Sequence, residues 1–298
     1  MSIAANRVEG SELLIQEIAS PTRIVLQRLL RHRLAIISLF VLLLIMVMSI
    51  GAPLFTSYDP NRIVLDDQNQ APSLRHLMGT DYQGRDLYTR ILYAGRITLG
   101  ISFSVVILSE SIGVVLGVIS GFFGGWIDAL IMRTVDFLLT LPLLPILLVL
   151  ITIFSPGIPL LITVLVLSGW VGSARLIRGQ ILSVREQNFI EASRALAASQ
   201  TRIMFRHLVP NALTPIIVSA TLGISEVVVL EAILSYLGFG VQPPDASWGN
   251  MLQNASLTVL DRYPWQAFFP GMMIFLTSLT VNFLGDGLRD ALDPRAKV

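Results

Sequence analysis

Few residues in this 298-residue chain could carry out covalent chemistry, and the types present exclude most of it. There is no cysteine, which removes disulfides, thiolate metal sites, cysteine nucleophiles and lipidated cysteine together. His76 has no second histidine or cysteine near it and is read as a surface histidine, not a metal ligand; no metal site is expected. The only lysine is Lys297, so a phosphate-cradling loop of the form G-x-x-x-x-G-K-[ST] is impossible. If ATP drives any work done through this chain, another chain must bind the nucleotide. Two groups of candidates remain: the carboxylates Glu110, Asp136, Glu226 and Glu231, set in apolar surroundings, and the basic stretch EASRALAASQTRIMFRHLVPNALTP at Glu191–Pro215.

The elements that must position these residues are membrane helices. Only 14% of the residues are charged and 53% are hydrophobic, with a mean hydropathy of +0.71, which is too apolar for an ordinary soluble domain. The net charge of +1 is therefore no sign of nucleic-acid binding, and no nucleic-acid partner is expected. A bilayer core needs roughly 20 apolar helical residues, and six stretches supply them: Leu34–Phe55, Ile97–Ile119, Ala129–Phe154, Ile158–Ala174, Leu213–Tyr236 and Trp265–Leu284. The first is longer than the roughly 7 to 15 apolar residues of a signal peptide and is read as a retained span.

Orientation follows from the arginines. With both termini cytoplasmic, only Arg62, Arg75, Arg85, Arg90, Arg96 and Arg262 of the 21 basic residues lie outside. Tyr58, Tyr82, Tyr88, Tyr93, Tyr236, Trp248, Tyr263 and Trp265 then gather near the outer interface, and Trp126 marks an inner one. GFFGGW at Gly121–Trp126 supplies the glycines of a tight turn between antiparallel spans. The chain divides into 1–56, a cytoplasmic N-terminus and first span; 57–96, an outer loop; 97–290, the transmembrane core; and 291–298, a cytoplasmic tail.

Charges inside spans are costly and require partners or a wet cavity. Asp136 has Arg133 one helical turn away as its expected partner. Glu226 and Glu231, five residues apart, stand about 140° apart on a helix and cannot both face one narrow pathway squarely. Glu110 and Glu226 are the candidates for a translocation pathway. Pro142 and Pro145 permit a kink in the third span.

The basic stretch is helix-patterned. Phe189, Ala192 and Leu196 recur at helical spacing, as do Met204 with Leu208 and Phe205 with Val209. Ser199 is an expected N-cap and Pro210 an expected stop, giving two short helices with a bend near Ala197–Ser199. The expectation is a cytoplasmic helical hairpin over about 184–211, with apolar residues left for a partner.

EASRALAASQTRIMFRHLVP resembles the EAA loop of ABC-importer permeases, whose coupling helices dock into a groove on the ATP-binding subunit. HLMGTDYQGRDLYTRILYAGRITL (His76–Leu99), LSYLGFGVQPPDASWGNML (Leu234–Leu252) and NFLGDGLRDALDPR (Asn282–Arg295) are similar to the C-type permease subunit of the dipeptide, oligopeptide and nickel importers. The matches run from about residue 76 to the C-terminus. By that resemblance Glu191, Ala192, Arg194, Ala195, Ala197, Arg202, Arg206 and Pro210 contact the ATPase subunit, and Glu231 fits a position often acidic in the family. The pattern departs at Ser193, usually Ala, and at Ala197, usually Gly. Alanine in a left-handed bend costs roughly 1 kcal/mol and favours a differently shaped turn.

The resemblance implies an all-α integral membrane protein with the type I ABC-importer permease core. It would be a non-catalytic subunit in the bacterial inner membrane, moving peptides or a related small cargo inward by alternating access. Its implied partners are a homologous second permease, two ATP-binding subunits that hold ATP and magnesium, an extracytoplasmic substrate-binding protein and membrane lipid, with no cofactor in this chain. Two rival functions use the same residues. A proton-coupled secondary transporter would work through the intramembrane carboxylates without an ATPase, and a non-transporting scaffold would use the hairpin for lipid or partner contact.

Overall fold

The computed structural model describes residues 21–142, 145, 146, 149, 150, 153–255 and 261–292, with residues 21–24 and 213 described by backbone alone. Eleven α-helices are described: α1 Pro21–Arg31, α2 Arg33–Ile50, α3 Ala52–Phe55, α4 Leu87–Phe123, α5 Gly125–Thr140, α6 Ile158–Arg185, α7 Asn188–Ala195, α8 Gln200–Ile203, α9 Val209–Tyr236, α10 Trp248–Asn254 and α11 Trp265–Leu292. No strand is found among the described residues. The tail expected at 291–298 lies almost wholly beyond the described residues.

Five described helical segments are long and apolar enough to cross a bilayer: Arg33–Ile50, Leu87–Phe123, Ile158–Arg185, Thr214–Tyr236 and Trp265–Leu292. The expected third span, Ala129–Phe154, is helical to Thr140, where Leu141 turns to extended backbone (φ −83°, ψ 124°) just before Pro142, and helical backbone recurs at 145, 146, 149, 150 and 153. The residue preceding a proline is pushed out of helical geometry by the proline ring, which accounts for the break. Residues 143–144, 147–148 and 151–152 lie outside the described residues, and five of the six expected spans are found as unbroken helices among the described residues.

Helices outrun the apolar stretches that mark them. α4 begins at Leu87 and not near Ile97, and α6 continues to Arg185, well past Ala174. At 1.5 Å per residue the 37 residues of α4 reach about 55 Å, against roughly 30 Å of hydrocarbon.

α4 and α6 share the most extensive helix contact, made possible by Gly113, Gly117 and Gly121. A Cβ at these positions would stand 2.5 Å from Ser173 Cβ, 2.6 Å from the Ala174 carbonyl oxygen and 2.9 Å from Ile181 Cβ. Small residues spaced by four let helix backbones approach closely where lipid supplies no hydrophobic drive for association. The turn after α4 uses Gly124 (φ 64°) and Gly125 (φ 56°), the left-handed geometry that GFFGGW was expected to provide.

Beyond the outer end of α4 the chain folds into a compact polar elbow. Asp86 caps α4 by accepting from the Thr89 N–H at 2.8 Å. Asp81 accepts from the backbone N–H groups of Gln83 and Arg85 and from Arg85 Nε at 2.6 Å. Gly79 (φ 76°) and Gly84 (φ 74°) form its turns. His76 is not on the surface as expected: it is 2% exposed, with Nδ1 2.9 Å from Asp86 Oδ2 and Nε2 3.8 Å from Asp67 Oδ2. Burial there is sustained by carboxylates that sequence order places 9 and 10 residues away.

Glu231 is fully buried, with Ser235 Oγ donating to Oε1 at 2.6 Å and Thr98 Oγ1 to Oε2 at 3.3 Å. Asp136 pairs with Arg175 of α6 at 2.7 Å, not with Arg133. A neighbouring helix offers a guanidinium in direct line, whereas Arg133 shares only its own helix with Asp136.

Candidate coupling surface and intramembrane cavity

The basic stretch forms two helices with a bend between them, α7 and α8, beneath the end of α6. One face is anchored: Ile190, Ile203, Leu208 and Ala212 are buried with Ile177, Ile181 and Val184 of α6. The other face is open. Glu191, Ala192, Arg194, Ala195, Ala197, Arg202, Arg206 and Pro210 are all exposed, and Phe189 (40%), Leu196 (84%) and Phe205 (66%) stand exposed among them. An amphipathic pair of helices with apolar groups on both faces needs a second surface to cover the outer one.

The bend keeps left-handed geometry despite its alanine. Ala197 has φ 55°, the Ala198 N–H donates to the Ser193 carbonyl at 3.1 Å, and the Ala197 N–H donates to the Arg194 carbonyl at 2.9 Å. This pair of bonds is the Schellman closure of a helix C-terminus, in which the residue after the cap is left-handed and usually glycine. The expectation of a differently shaped turn is therefore corrected: the two closing bonds hold Ala197 in the conformation that its Cβ disfavours. Ser199 caps α8 as expected, its Oγ accepting from the Arg202 N–H at 3.3 Å.

Pro210 does not stop the second helix. The chain runs helically from Gln200 through Tyr236, with a π-helical turn at Met204–Leu208 in which the Val209 N–H reaches back to the Met204 carbonyl. Pro210 then occupies an early position of α9, where the wider turn has already interrupted the regular bonding that its missing N–H would break. The second half of the hairpin and the span that follows are one rod.

Glu191 lies in the first turn of α7, where the helix dipole favours a carboxylate. It lines a cleft of about 530 Å³ with Leu182, Arg185, Glu186 and Arg194. Arg185 donates to the Phe122 carbonyl at 3.2 Å, tying the foot of α6 to the α4–α5 turn. Asp128, one residue before the third apolar run, receives Arg178 Nη2 at 2.6 Å; that guanidinium holds its carboxyl below the ordinary aspartate range.

Glu110 and Glu226 line one cavity of about 470 Å³ among α4, α6 and α9. Glu231, on the same helix as Glu226, lies elsewhere, as the helical angle between them requires. No group of histidine and carboxylate side chains suited to a metal ion occurs among the described residues.

Sequence reading missed the π-helical turn, the Arg175–Asp136 pair and Ser109, a buried serine on the wall of the Glu110 cavity. Only the proline four residues into the basic tail of the stretch hinted at the first.

Comparison with known proteins agrees along the chain. The model of binding-protein-dependent transport system inner membrane components matches residues 113–298, and that of the N-terminal TM domain of oligopeptide transport permease C matches residues 20–72. A putative peptide permease protein of Brucella suis is 43% identical over 298 residues, covering all of this chain and 99% of the relative. The oligopeptide transport system permease protein OppC of Bacillus subtilis is 40% identical over 266 residues, covering 89% and 87% of the two chains. The dipeptide transport system permease protein DppC of the same organism is 39% identical over 271 residues, covering 91% and 85%. With family models covering both its first helices and its core, the chain belongs to the binding-protein-dependent transport system inner membrane components, as a multi-pass C-type permease subunit of the ABC peptide-importer branch.

Proposed function

We propose that this chain pairs with a homologous permease and two ATP-binding subunits, which hold ATP and magnesium, to import peptides delivered by an extracytoplasmic binding protein. Its own part is mechanical, in the bacterial inner membrane with both termini on the cytoplasmic side, and it makes and breaks no covalent bond. The observation that carries this reading is the hairpin, anchored on one face and open on the other, with its second helix continuous into a membrane span. A force applied at Arg202 or Arg206 is transmitted along α9 without crossing a flexible loop, and α9 carries Glu226 on the cavity wall. Nucleotide can shift the transporter between inward-open and outward-open states only by its differential affinity for them, so a rigid link is what the coupling requires.

Glu191, Ala192, Arg194, Ala195, Ala197, Arg202, Arg206 and Pro210 form the docking surface in this proposal, and Glu110 and Glu226 line the pathway. Glu191 would meet a basic group of the ATPase subunit. Its reversal replaces an attraction with a repulsion across a desolvated contact, an effect that can reach about 2 to 5 kcal/mol. Glu191→Arg should leave the spans inserted and abolish transport-coupled ATP hydrolysis in the reconstituted complex. Normal peptide uptake by that variant would remove Glu191 from the coupling surface.

A further inference from the structure

The cavity among α4, α6 and α9 contains polar groups that the fold leaves unsatisfied. Glu110 Oε1 accepts from Ser219 Oγ at 3.1 Å, but Oε2 is buried without a hydrogen bond. Ser109, only 6% exposed, lines the same cavity and its Oγ also lacks a partner. Glu226 faces the cavity from α9 and has no ion-pair partner among the described residues. Two carboxylates inside an apolar layer require a countercharge or a wet space, and a buried hydroxyl without a bond is costly in itself.

Among the described residues none supplies that countercharge. No basic residue lines the cavity. On α4, Arg90 donates to the Pro60 carbonyl and Arg96 to those of Ser49 and Ile50. On α6, Arg175 holds Asp136, Arg178 holds Asp128, and Arg185 donates to the Phe122 carbonyl. α9 carries no arginine or lysine. The described basic groups of these three walls are either absent or committed elsewhere, and α5, which adds Leu139 to the lining, does not bring its Arg133 to the cavity.

We infer that this cavity is a subsite for an ammonium group, in which Glu110 and Glu226 receive the cationic end of the cargo during passage and the Ser109 hydroxyl accepts a hydrogen bond from it. The inference rests on the peptide-importer reading, because a peptide in neutral water carries an α-ammonium at one end. The volume of about 470 Å³ lies within the roughly 300 to 1,000 Å³ of small-molecule sites and admits a terminal residue with its charge. Serine and glycine on the α6 wall leave room beside the carboxylates: a Cβ at Gly172 would meet nothing within 4 Å.

The absence of native cysteine allows a direct test. Gly172→Cys places the only thiol of this chain on the cavity wall. In the reconstituted complex, labelling of this chain by a trimethylammonium and by a sulfonate methanethiosulfonate reagent is followed by mass spectrometry. The ratio of cationic to anionic labelling rates should fall at least about tenfold when Glu110→Gln and Glu226→Gln are added, the lower end of what charge focusing in a cleft achieves. An alanine tripeptide delivered by the binding protein should slow the cationic reagent. The same two substitutions on the native background should lower its import about tenfold or more.

Labelling rates indifferent to reagent charge, as they would be if a partner subunit supplied the missing cation, overturn the inference. So does failure of either reagent to react, since the cavity would then be closed to water. Charge-selective labelling in a complex that imports no peptide retains the ammonium subsite and overturns the peptide reading instead.

Discussion

The Trp248 N–H donates to Thr98 Oγ1 at 3.2 Å, joining the first turn of α10 to α4 across 150 residues of sequence. The same hydroxyl donates onward to the buried Glu231, while the Trp248 indole N–H reaches the Ile91 carbonyl at 3.1 Å. Three helices therefore meet at one threonine, which both accepts and donates.

Thr98→Val keeps the shape and removes both bonds, leaving a backbone N–H and a carboxyl oxygen short of partners in a dry interior. The expected loss is about 1 to 3 kcal/mol, the cost of an unsatisfied buried group. Thermal unfolding in detergent, followed by tryptophan fluorescence, should show a lowered midpoint. An unchanged midpoint would mean that the hub contributes nothing to stability.

His76→Leu tests the elbow. Asp86 uses Oδ1 to cap α4 and Oδ2 to meet His76 Nδ1, so the substitution leaves a nearly buried carboxylate oxygen unpaired beside the cap. Amide hydrogen exchange should accelerate by roughly tenfold or more at Leu87–Arg90, in line with about 1 to 3 kcal/mol lost locally. Acceleration confined to α7 and α8 would contradict this assignment.

Ala197→Gly should stabilise the hairpin. Left-handed backbone costs an L-residue about 1 to 2 kcal/mol, and glycine avoids most of it while paying part of the gain back in unfolded-state entropy. A net gain of about 0.5 to 1 kcal/mol should appear as slower exchange over Asn188–Leu208 with the spans unaffected. Faster exchange there would show that the Cβ is making a favourable contact.

Asp128→Asn removes the negative charge and one of the two oxygens that accept from Arg178. Because the carboxyl is held below its ordinary range, the pair contributes stability above the unfolded value near 3.9 and loses it as acidity protonates the folded group. The partly exposed pair should be worth about 0.2 to 1 kcal/mol at pH 7. The difference in thermal midpoint between Asp128→Asn and the native chain should close as the pH falls below about 4. A gap that does not narrow at all as the pH is lowered from 7 towards acid unfolding would assign the effect to packing and not to charge.

Local signals were legible in the sequence wherever a single residue type dictates a backbone state. The glycines of GFFGGW and the cap at Ser199 needed only short-range chemistry. So did the amphipathic character of the hairpin. Features that depend on a distant partner were not legible: Asp136 finds Arg175, 39 residues on, because α5 and α6 lie side by side, and His76 is buried because the elbow closes over it. Apolar runs mark where lipid is and not where a helix ends, so the true ends of α4 and α6 lay in polar sequence. Pro210 was misread because a proline rule for regular helices was applied beside a turn that is not regular. The shared cavity of Glu110 and Glu226 required the packing of three helices, although their separation from Glu231 followed from helix angle alone.

The wider turn at Met204–Leu208 also fixes azimuth. A regular helix advances about 100° per residue, and a π turn accommodates one residue more than the α-helix it replaces. Winding the same residues as a regular α-helix, with none removed, would rotate the two ends of the rod by about a quarter turn relative to each other. The exposed Arg202 and the wall bearing Glu226 would then point along different bearings, with every side chain still present. The turn thus acts as the index mark that sets the phase between the two working faces of one helix.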